Sequence, residues 1–491
     1  MKKLFFGLLC GGLLTGHVCA QGYEIKLHVK KMAGQEVILA HYLEGNVYAV
    51  DTARLDAAGT GVFKKENRKL ARGMYLIRFS PSNYPDLIIG DDQHFTVTTD
   101  TLDYLNTMKI EGSPENAAFL EFQQFMVNLN QKMLQAREAF EKETDKNEAV
   151  REKYNAIFEN ADREVRTYID GIGRKFPGSS LATFTNFTLS PDVPDFSAEV
   201  PEGTEDREME IRRKAFFYAK DHFWDHTNFT DSMLIRTPIF KKKLDDYFAN
   251  WVIVHPDSLY QSCVQIIEKA RPDKTMFRYL LNYCINASFE HKIMGMDEAF
   301  VKLGQRYFMK KGEIYWLDEE ALKKITDEVI KRQYNLIGQK GLDLQLPTLE
   351  GHWTSLYETQ APYTLLLFWE PNCGHCKKTV PSVKKEIYDV FAPLGLKVFA
   401  VMTQTDKKDW EEFVEKYELF DFINTWDPNR QSNYWTIYNV FTTPVIYLLD
   451  KDKKIIAKNL TTEQIVDLLK REYNKQGHNF ELSKEPPTPE P

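Results

Sequence analysis

Two cysteines separated by two residues, Cys373 and Cys376, most narrowly constrain how this chain folds. An apolar run at residues 363–369 precedes them and is typical of a buried strand, and a helical pattern follows from Lys377 to Ile387. This order places Cys373 at a strand-to-helix junction, where the unpaired N–H groups of the first helical turn favour a thiolate. Because Cys376 lies about one helical turn further on, it can close a small disulfide with Cys373 or attack a mixed disulfide formed there.

The length of the chain predicts several domains, since 491 residues exceed what a single hydrophobic core usually supports. Roughly three or four domains are expected at this length. The formal net charge of −8 is acidic, which argues against nucleic acid as a partner.

The first 20 residues have the pattern of a secretory signal peptide. Lys2 and Lys3 give a positive start, residues 4–14 an apolar core, and residues 18–20 a small-residue cleavage site. The apolar core is too short to span a bilayer, and no later segment of the sequence resembles a transmembrane helix. We therefore expect a soluble, exported, periplasmic protein. Cys19 leaves open a lipidated form that is associated with the membrane.

Removal of the signal peptide changes the cysteine count from six to four, because Cys10 and Cys19 leave with it. So few cysteines in a long exported chain do not amount to a disulfide framework. Apart from the C-x-x-C pair, Cys263 and Cys284 lie in helical patterns 21 residues apart. They either pair with each other or remain two ordinary buried thiols.

Three regions are predicted between the signal peptide and the C-x-x-C domain. Residues 21–110 alternate apolar and polar side chains in short runs separated by turn signals, a pattern typical of a small antiparallel β-sandwich. Residues 111–205 predict a helical hairpin that begins at a Ser113 cap, followed by an acidic, proline-rich linker. Residues 206–340 predict an α-helical domain whose many aromatic side chains are best explained as its core.

Residues 341–475 alternate strands and helices in the order βαβαβ…ββα, which predicts an α/β domain with helices on both faces of a mixed sheet. Residues 476–491 are rich in proline and are predicted to be a disordered tail. The predicted fold class is therefore multidomain. It comprises an N-terminal antiparallel β domain, a central α-helical region and a C-terminal α/β domain.

The C-terminal residues 341–475 resemble the thioredoxin fold, and more specifically the exported TlpA-like thiol–disulfide oxidoreductases. Besides the strand that ends at Trp369 before the C-x-x-C pair, three features carry the resemblance. Pro381 lies eight residues after the first cysteine, Thr443-Pro444 occupies the place of the family's cis-proline, and residues 346–353 match its extra hairpin. The order of domains also resembles multidomain exported proteins of Bacteroidetes-type bacteria.

Two positions depart from the pattern of these families. Thioredoxins carry a buried aspartate where this chain has Leu367, and reducing TlpA-like proteins often carry a glutamate where it has Thr379. In the families, both carboxylates are thought to manage the proton of the buried cysteine. Glu370 is the nearest acidic side chain that could replace them, but a solvated position at the end of a strand explains it equally well.

The resemblance implies thiol–disulfide exchange with no cofactor other than the redox-active disulfide Cys373–Cys376. In this cycle Cys373 attacks as a thiolate, and Cys376 resolves the resulting mixed disulfide. His375 and Lys377 are expected to lower the Cys373 pKa by hydrogen bonding or positive charge, which favours the reduced form. A pair with His375 should therefore be more oxidising than one with proline at that position.

The implied partners are client proteins with cysteines and an upstream thiol–disulfide electron donor or acceptor. Thr443, beside Pro444, is expected to offer backbone groups to an extended client segment, and Trp369 is expected to cover the disulfide. We expect no nucleic acid and no metal at this site.

Three other functions compete with this interpretation. A peroxide-reducing enzyme on the same fold is disfavoured because residues 370–372 lack the hydroxyl that peroxiredoxins place before the reactive cysteine. A binding or assembly protein with an accessory redox domain stays open, since most of the chain lies outside residues 341–475. A zinc site would need more ligands than the two cysteines and His375 supply.

Overall fold

The computed structural model describes residues 22–100, 103–143, 145, 147–310 and 312–482. The predicted signal peptide, residues 1–20, and the end of the predicted tail lie outside these described residues. The chain forms two compact units, one of Met1–Val252 with Lys269–Tyr279 and one of Ile253–Glu268 with Leu280–Pro491. The residues predicted to be one helical domain, 206–340, are therefore divided between the two units.

The first unit begins with two four-stranded sheets, ordered β4-β1-β7-β8 and β3-β2-β5-β6. Their strands are β1 (Tyr23–Lys30), β2 (Glu36–Leu43), β3 (Asn46–Arg54), β4 (Thr60–Lys65), β5 (Gly73–Arg78), β6 (Asp86–Ile89), β7 (His94–Asp100) and β8 (Lys109–Glu111). Alternate residues of β1 are buried because one face of its sheet covers a core that also includes residues of β2, β5, β6 and β7. The described pairings are antiparallel except that of β1 with β7, which is parallel. The prediction of a purely antiparallel domain is wrong at this pair, because alternation fixes which face is buried but not strand direction.

Helices complete the first unit. They are α1 (Tyr104–Thr107), α2 (Pro114–Lys142), α3 (Glu148–Lys175), α4 (Ser180–Phe187), α5 (Arg207–Asp221) and α6 (Phe240–Asp246), the last continuing as a π-turn at Tyr247–Trp251. The Ser113 side chain accepts a hydrogen bond from the N–H of Asn116, so α2 begins at the predicted cap. The rings of Phe125 and Tyr168 stack at 4.4 Å and join α2 to α3 as a hairpin.

The second unit contains the helices α7 (Pro256–Lys269, without its last residue), the longer part of α8 (Lys274–Phe289), α9 (Asp297–Leu303) and α10 (Glu319–Arg332). Cys263 of α7 and Cys284 of α8 are fully buried free thiols. They lie beside each other: burial raises the Cys284 pKa, and a hydrogen bond with the Cys263 side chain raises it further.

The same unit contains a five-stranded sheet ordered β13-β12-β11-β14-β15 and a two-stranded hairpin. The strands are β9 (Gln345–Pro347) and β10 (Trp353–Ser355) in the hairpin, and β11 (Tyr363–Trp369), β12 (Lys397–Met402), β13 (Ile423–Trp426), β14 (Val445–Asp450) and β15 (Ile455–Lys458) in the sheet. Strands β11, β12 and β13 are parallel, whereas β14 and β15 run antiparallel to their neighbours. This is the predicted mixed sheet, and its topology is thioredoxin-like.

Helices cover both faces of this sheet. They are α11 (Cys376–Ser382), α12 (Asp389–Phe391), α13 (Lys407–Lys416), α14 (Tyr434–Ile437) and α15 (Thr462–Asn474). All seven residues of β11 are buried because alternate side chains enter two separate cores. Leu365 and Leu367 lie in one core, and Leu366 and Phe368 lie in the other.

Pro381 lies inside α11, and the chain continues directly as a π-turn at Val383–Tyr388 before α12 begins. Proline has no N–H to donate and its ring displaces the preceding turn, so a widened turn next to it has a direct physical cause.

The chain remains packed beyond residue 475, where the disordered tail was predicted to begin. The N–H of Phe480 donates to Oδ1 of Asn474 at 2.7 Å, and the Phe480 ring lies 5.5 Å from that of Phe391. Phe480 is an apolar side chain in a polar, proline-rich segment, and it packs against the core of this domain. Among the described residues, no helix has both the length and the apolar character needed to cross a membrane.

Candidate active site

Cys373 lies at the carboxyl end of β11, in the short turn that leads into α11. It is partly exposed, whereas Cys376 is fully buried as the first residue of α11. The N–H of Cys376 points at the sulfur of Cys373, with 3.3 Å between nitrogen and sulfur. The strand-to-helix junction predicted for this pair is confirmed, and both cysteines are free thiols in the structure.

The pKa of Cys373 is lower than that of an ordinary thiol. Burial of the sulfur opposes ionisation and is the largest single influence. It is outweighed by hydrogen bonds from the N–H and the thiol of Cys376, from the Thr443 side chain and from the N–H of His375. Cys373 is therefore the more readily ionised thiol of the pair, and it is also the more accessible one.

At Cys376 the net shift is in the other direction. Burial again raises the pKa, and here it dominates, so that the pKa is raised to about 12. The neighbouring Cys373 side chain raises it further, while hydrogen bonds from the Glu370 backbone and the Thr443 side chain act in the other direction without cancelling the effect. Cys376 therefore stays protonated at neutral pH until another group takes its proton.

The loop before β14 faces the two cysteines. The Thr443–Pro444 peptide bond is cis, and the Cys373 thiol donates to the Thr443 carbonyl oxygen at 3.4 Å. Thr443 and Pro444 are half-buried. Their role as client contacts stays a prediction.

Glu370 is held in the site by two hydrogen bonds. Its Oε1 accepts from the Thr443 hydroxyl at 2.9 Å, and its Oε2 accepts from the side-chain amide of Gln404 at 3.0 Å. Glu370 is half-buried. It is therefore an anchored carboxylate beside the dithiol, which weighs against the alternative of a free, solvated residue at the strand end.

His375 and Lys377 have exposed side chains. His375 acts on Cys373 through its backbone N–H, because it occupies the position that begins α11. The predicted influence of the imidazole and of the Lys377 ammonium stays a prediction.

The prediction that Trp369 covers the disulfide as a client contact is wrong. Trp369 is fully buried in the domain core, and its ring packs 4.5 Å from that of Phe413. Its side chain points to the same face of β11 as those of Leu365 and Leu367, and it belongs to the core cluster that also contains Cys376.

The sequence alone does not indicate that Gln404 and the Thr443 hydroxyl bind the Glu370 carboxylate. Gln404 follows β12, which is parallel to β11, and the carboxyl ends of neighbouring parallel strands meet at one edge of a sheet. Because both residues follow the carboxyl ends of these two strands, the strand order alone predicts that Gln404 lies near Glu370. Among the residues that the structure describes, no group of three or more His, Cys, Asp or Glu side chains is arranged to hold a metal ion.

Three family models match the chain. Residues 337–458 match the AhpC/TSA family, which covers the sheet and both cysteines. Residues 23–119 and 173–339 match two domains of unknown function, DUF4369 and DUF5106 respectively.

Relatives of the C-terminal part include thiol–disulfide oxidoreductase ResA of Geobacillus kaustophilus. It is 29% identical over 133 residues, which are 26% of this chain and 74% of that protein. A crystal structure of a domain of a possible thiol-disulfide isomerase from Cytophaga hutchinsonii is 30% identical and aligns with a TM-score of 0.27, covering 29% of this chain and 96% of that one. A thioredoxin-like protein from Bacteroides caccae is 22% identical with a TM-score of 0.43, covering 57% of this chain and 97% of that one.

Proposed function

We propose that this chain, whose C-terminal domain belongs to the TlpA-like thioredoxin-fold proteins, is an exported thiol–disulfide oxidoreductase that exchanges electrons with protein thiols and disulfides. Cys373 and Cys376 form its redox-active pair. The relatives of this domain are named thiol–disulfide oxidoreductases, which supports the class of reaction.

The unequal environments of the two cysteines carry this proposal. Cys373 is partly exposed with a lowered pKa, and Cys376 is buried one turn away with a raised pKa. An exchange reaction needs one accessible thiolate to attack and a second thiol that is protected until the mixed disulfide has formed. Two cysteines with a purely structural role would not require one accessible thiol with a lowered pKa and one buried thiol with a raised pKa.

The proposed reaction has two steps. The Cys373 thiolate attacks a client disulfide, forms a mixed disulfide and releases one client thiolate. Cys376 then attacks the sulfur of Cys373, which closes the Cys373–Cys376 disulfide and releases the second client thiol. Two electrons pass from the dithiol to the client, and the same steps in reverse oxidise a client dithiol.

Export to the periplasm is the second part of the proposal, and it rests on the signal pattern of residues 1–20. An exported location suits a redox pair because protein disulfides persist in oxidising compartments. Cell fractionation tests it: the processed chain should appear with periplasmic markers, and recovery of the unprocessed chain with cytoplasmic markers would contradict it.

Reduction of a model disulfide protein, insulin, by the full chain with dithiothreitol tests the reaction. The wild type should accelerate insulin reduction, Cys373→Ser should not, and Cys376→Ser should accumulate a mixed disulfide on Cys373. Cys263→Ser is the matched control, because it removes a thiol that is buried away from the site. Insulin reduction by Cys373→Ser at the wild-type rate would contradict the proposal.

The same preparations separate the other functions. Rapid peroxide consumption that depends on Cys373, without insulin reduction, would indicate a peroxidase. A cellular phenotype of gene loss that is fully restored by the Cys373→Ser, Cys376→Ser double variant would indicate that binding or assembly is the main function.

A further inference from the structure

A polar cavity of about 540 Å³ lies in the first unit, and all the residues that line it belong to that unit. Its walls come from residues 71–72 before β5, from residues 178–183 around the start of α4, and from the segment 228–236. Asp273, which precedes α8, completes the lining. The volume falls within the range of about 300–1,000 Å³ that is usual for small-molecule sites.

Arg72 ties these walls together. Its Nε donates to Ser180 Oγ at 3.1 Å, its Nη2 donates to the Gly178 carbonyl oxygen at 3.1 Å, and the same Nη2 forms an ion pair with Asp231 at 3.3 Å. The Thr183 hydroxyl also donates to the Asp231 carboxylate, at 3.1 Å. The charges of Arg72 and Asp231 therefore balance each other, and the protein itself fixes the walls of the cavity.

Gly73 brings a second arginine of the lining, Arg236, against the wall that carries Arg72. The φ of Gly73 is 149°, in the region that favours glycine. A Cβ at this position would lie 2.5 Å from the Cβ of Arg236. The close approach of the two segments therefore depends on glycine, and it places both arginines on neighbouring parts of the lining.

Unlike Arg72, Arg236 has no hydrogen-bond or ion-pair partner for its guanidinium among the described residues, although it is half-buried. Burial raises the pKa of the Glu44 carboxyl, and the charges of Arg278 and Arg236 act in the other direction, but Glu44 forms an ion pair with neither of them. One carboxylate does not neutralise two arginines. Arg236 therefore offers a positive charge and a planar set of N–H donors.

The rest of the lining supplies further donors and one acceptor. The side-chain oxygen of Asn228 accepts from the N–H and the hydroxyl of Thr230, at 3.0 and 2.7 Å, which leaves its NH₂ group available. The Ser232 hydroxyl has no partner in the part of the chain that the structure describes. One oxygen of Asp273 accepts from the N–H of Met276 at 2.7 Å, and its other oxygen is available as an acceptor.

These groups define the chemistry of a matching ligand. A guanidinium binds a carboxylate through two parallel hydrogen bonds. Because one unpaired cation balances one negative charge, a monocarboxylate suits Arg236 better than phosphate, whose second charge would be repelled by Asp273. The available oxygen of Asp273 calls for a hydrogen-bond donor on the ligand, either a hydroxyl or an ammonium group.

We propose that this cavity binds a small monocarboxylate that also carries hydroxyl or ammonium groups, with Arg236 bound to the carboxylate and Asp273 to the donor group. A sugar acid and a short peptide share this chemistry. The site goes beyond the proposed redox function, because none of the residues that line it belongs to the C-x-x-C domain.

Isothermal titration calorimetry of the full chain tests the site with D-glucuronate, diglycine and inorganic phosphate. D-Glucuronate has a carboxylate and hydroxyl groups, whereas diglycine has a carboxylate and an ammonium group. Arg236→Gln removes the charge that faces the carboxylate, and Asp273→Asn removes an acceptor charge while keeping an oxygen that can cap α8. Arg54→Gln is the matched control, since Arg54 is exposed on β3 and does not line the cavity.

We expect saturable binding of D-glucuronate or diglycine, and weaker binding of phosphate. Arg236→Gln should weaken the binding about tenfold or more, the scale of a lost charge-assisted hydrogen bond. Arg236→Lys keeps the charge without the planar fork and should lie between Arg236→Gln and the wild type. Arg54→Gln should match the wild type.

Asp273→Asn separates the two sources of the ligand. It should weaken diglycine binding more than D-glucuronate binding, because only an ammonium group loses an ion pair. Thermal denaturation shows that each variant is folded. Absence of saturable binding of both carboxylates by the wild type would overturn the proposal. An unchanged affinity in folded Arg236→Gln, or phosphate binding tighter than that of either carboxylate, would also overturn it.

Discussion

The sulfur of Cys373 lies 3.4 Å from the carbonyl oxygen of Thr443, a residue 70 positions later in the chain. This contact joins the start of α11 to the loop before β14, which contains the cis peptide bond. The loop before β14 therefore lies against the more exposed thiol of the pair.

Among the four cysteines that the structure describes, Cys373 should react fastest with iodoacetamide at pH 7 in the reduced, folded chain. Cys263, Cys284 and Cys376 are fully buried, while Cys373 is partly exposed. Because the Cys373 pKa is lowered, its thiolate fraction at pH 7 exceeds that of an ordinary thiol, and the rate should reach half its maximum at a lower pH than for an unstructured cysteine peptide labelled alongside it. Peptide mass spectrometry after timed labelling measures both. A midpoint at or above that of the peptide, or early labelling of Cys376, would contradict this prediction.

Replacement of His375 by proline should make the pair less oxidising. Proline has no N–H, so it removes one of the hydrogen bonds that stabilise the Cys373 thiolate, and the φ of −70° at this position accommodates its ring. A hydrogen bond to a charged group is worth about 1.5 kcal/mol. The reduction potential, measured by equilibration with glutathione, should fall by about 30 mV.

His375→Ala is the matched control for this prediction, because alanine removes the imidazole and keeps the N–H. If alanine lowers the potential as much as proline does, the imidazole and not the backbone sets the potential. No fall in either variant would refute both explanations.

Much of the candidate site could be predicted from the sequence because its parts are local patterns. The C-x-x-C pair, the apolar strand before it and Pro381 each lie within a few residues of one another. The hydrogen bonds of Glu370 could not be predicted from the sequence, since they join it to Thr443 across 73 positions and to Gln404 across 34. Motifs identify such a site, but its hydrogen bonds depend on how distant loops meet.

The same limit explains two errors elsewhere. Trp369 ends an apolar run beside the cysteines, and only the register of β11 in the sheet decides that its ring enters the core. The parallel pairing of β1 with β7 joins strands separated by most of the β region, so no turn signal indicates their direction.

Trp369 should matter for stability and not for client affinity. Trp369→Ala should lower the free energy of unfolding by about 3–5 kcal/mol, because it removes a large, fully buried ring that packs on Phe413. Trp369→Phe keeps most of this packing, so its KM for insulin should stay close to that of the wild type. A large rise in KM without loss of stability in Trp369→Phe would restore the role of a client contact.

A buried ion pair should be a stability determinant of the second unit. The Lys458 ammonium of β15 lies 2.6 Å from the Asp297 carboxylate of α9, with 7% and 17% of the two side chains exposed, and it also donates to the Asn335 carbonyl at 2.8 Å. Asp297→Asn leaves a buried lysine without its counter-ion, which should cost about 3–5 kcal/mol. Asp327→Asn is the matched control: its pair with Lys323 has a similar distance of 2.5 Å, but the side chains are 43% and 72% exposed, so it should cost less than about 1 kcal/mol. Urea denaturation followed by circular dichroism compares the two variants.

The double variant Asp297→Asn, Lys458→Met should recover most of the loss, because removal of the charge ends the cost of burying it. Equal midpoints for Asp297→Asn and Asp327→Asn would show that burial does not strengthen this pair.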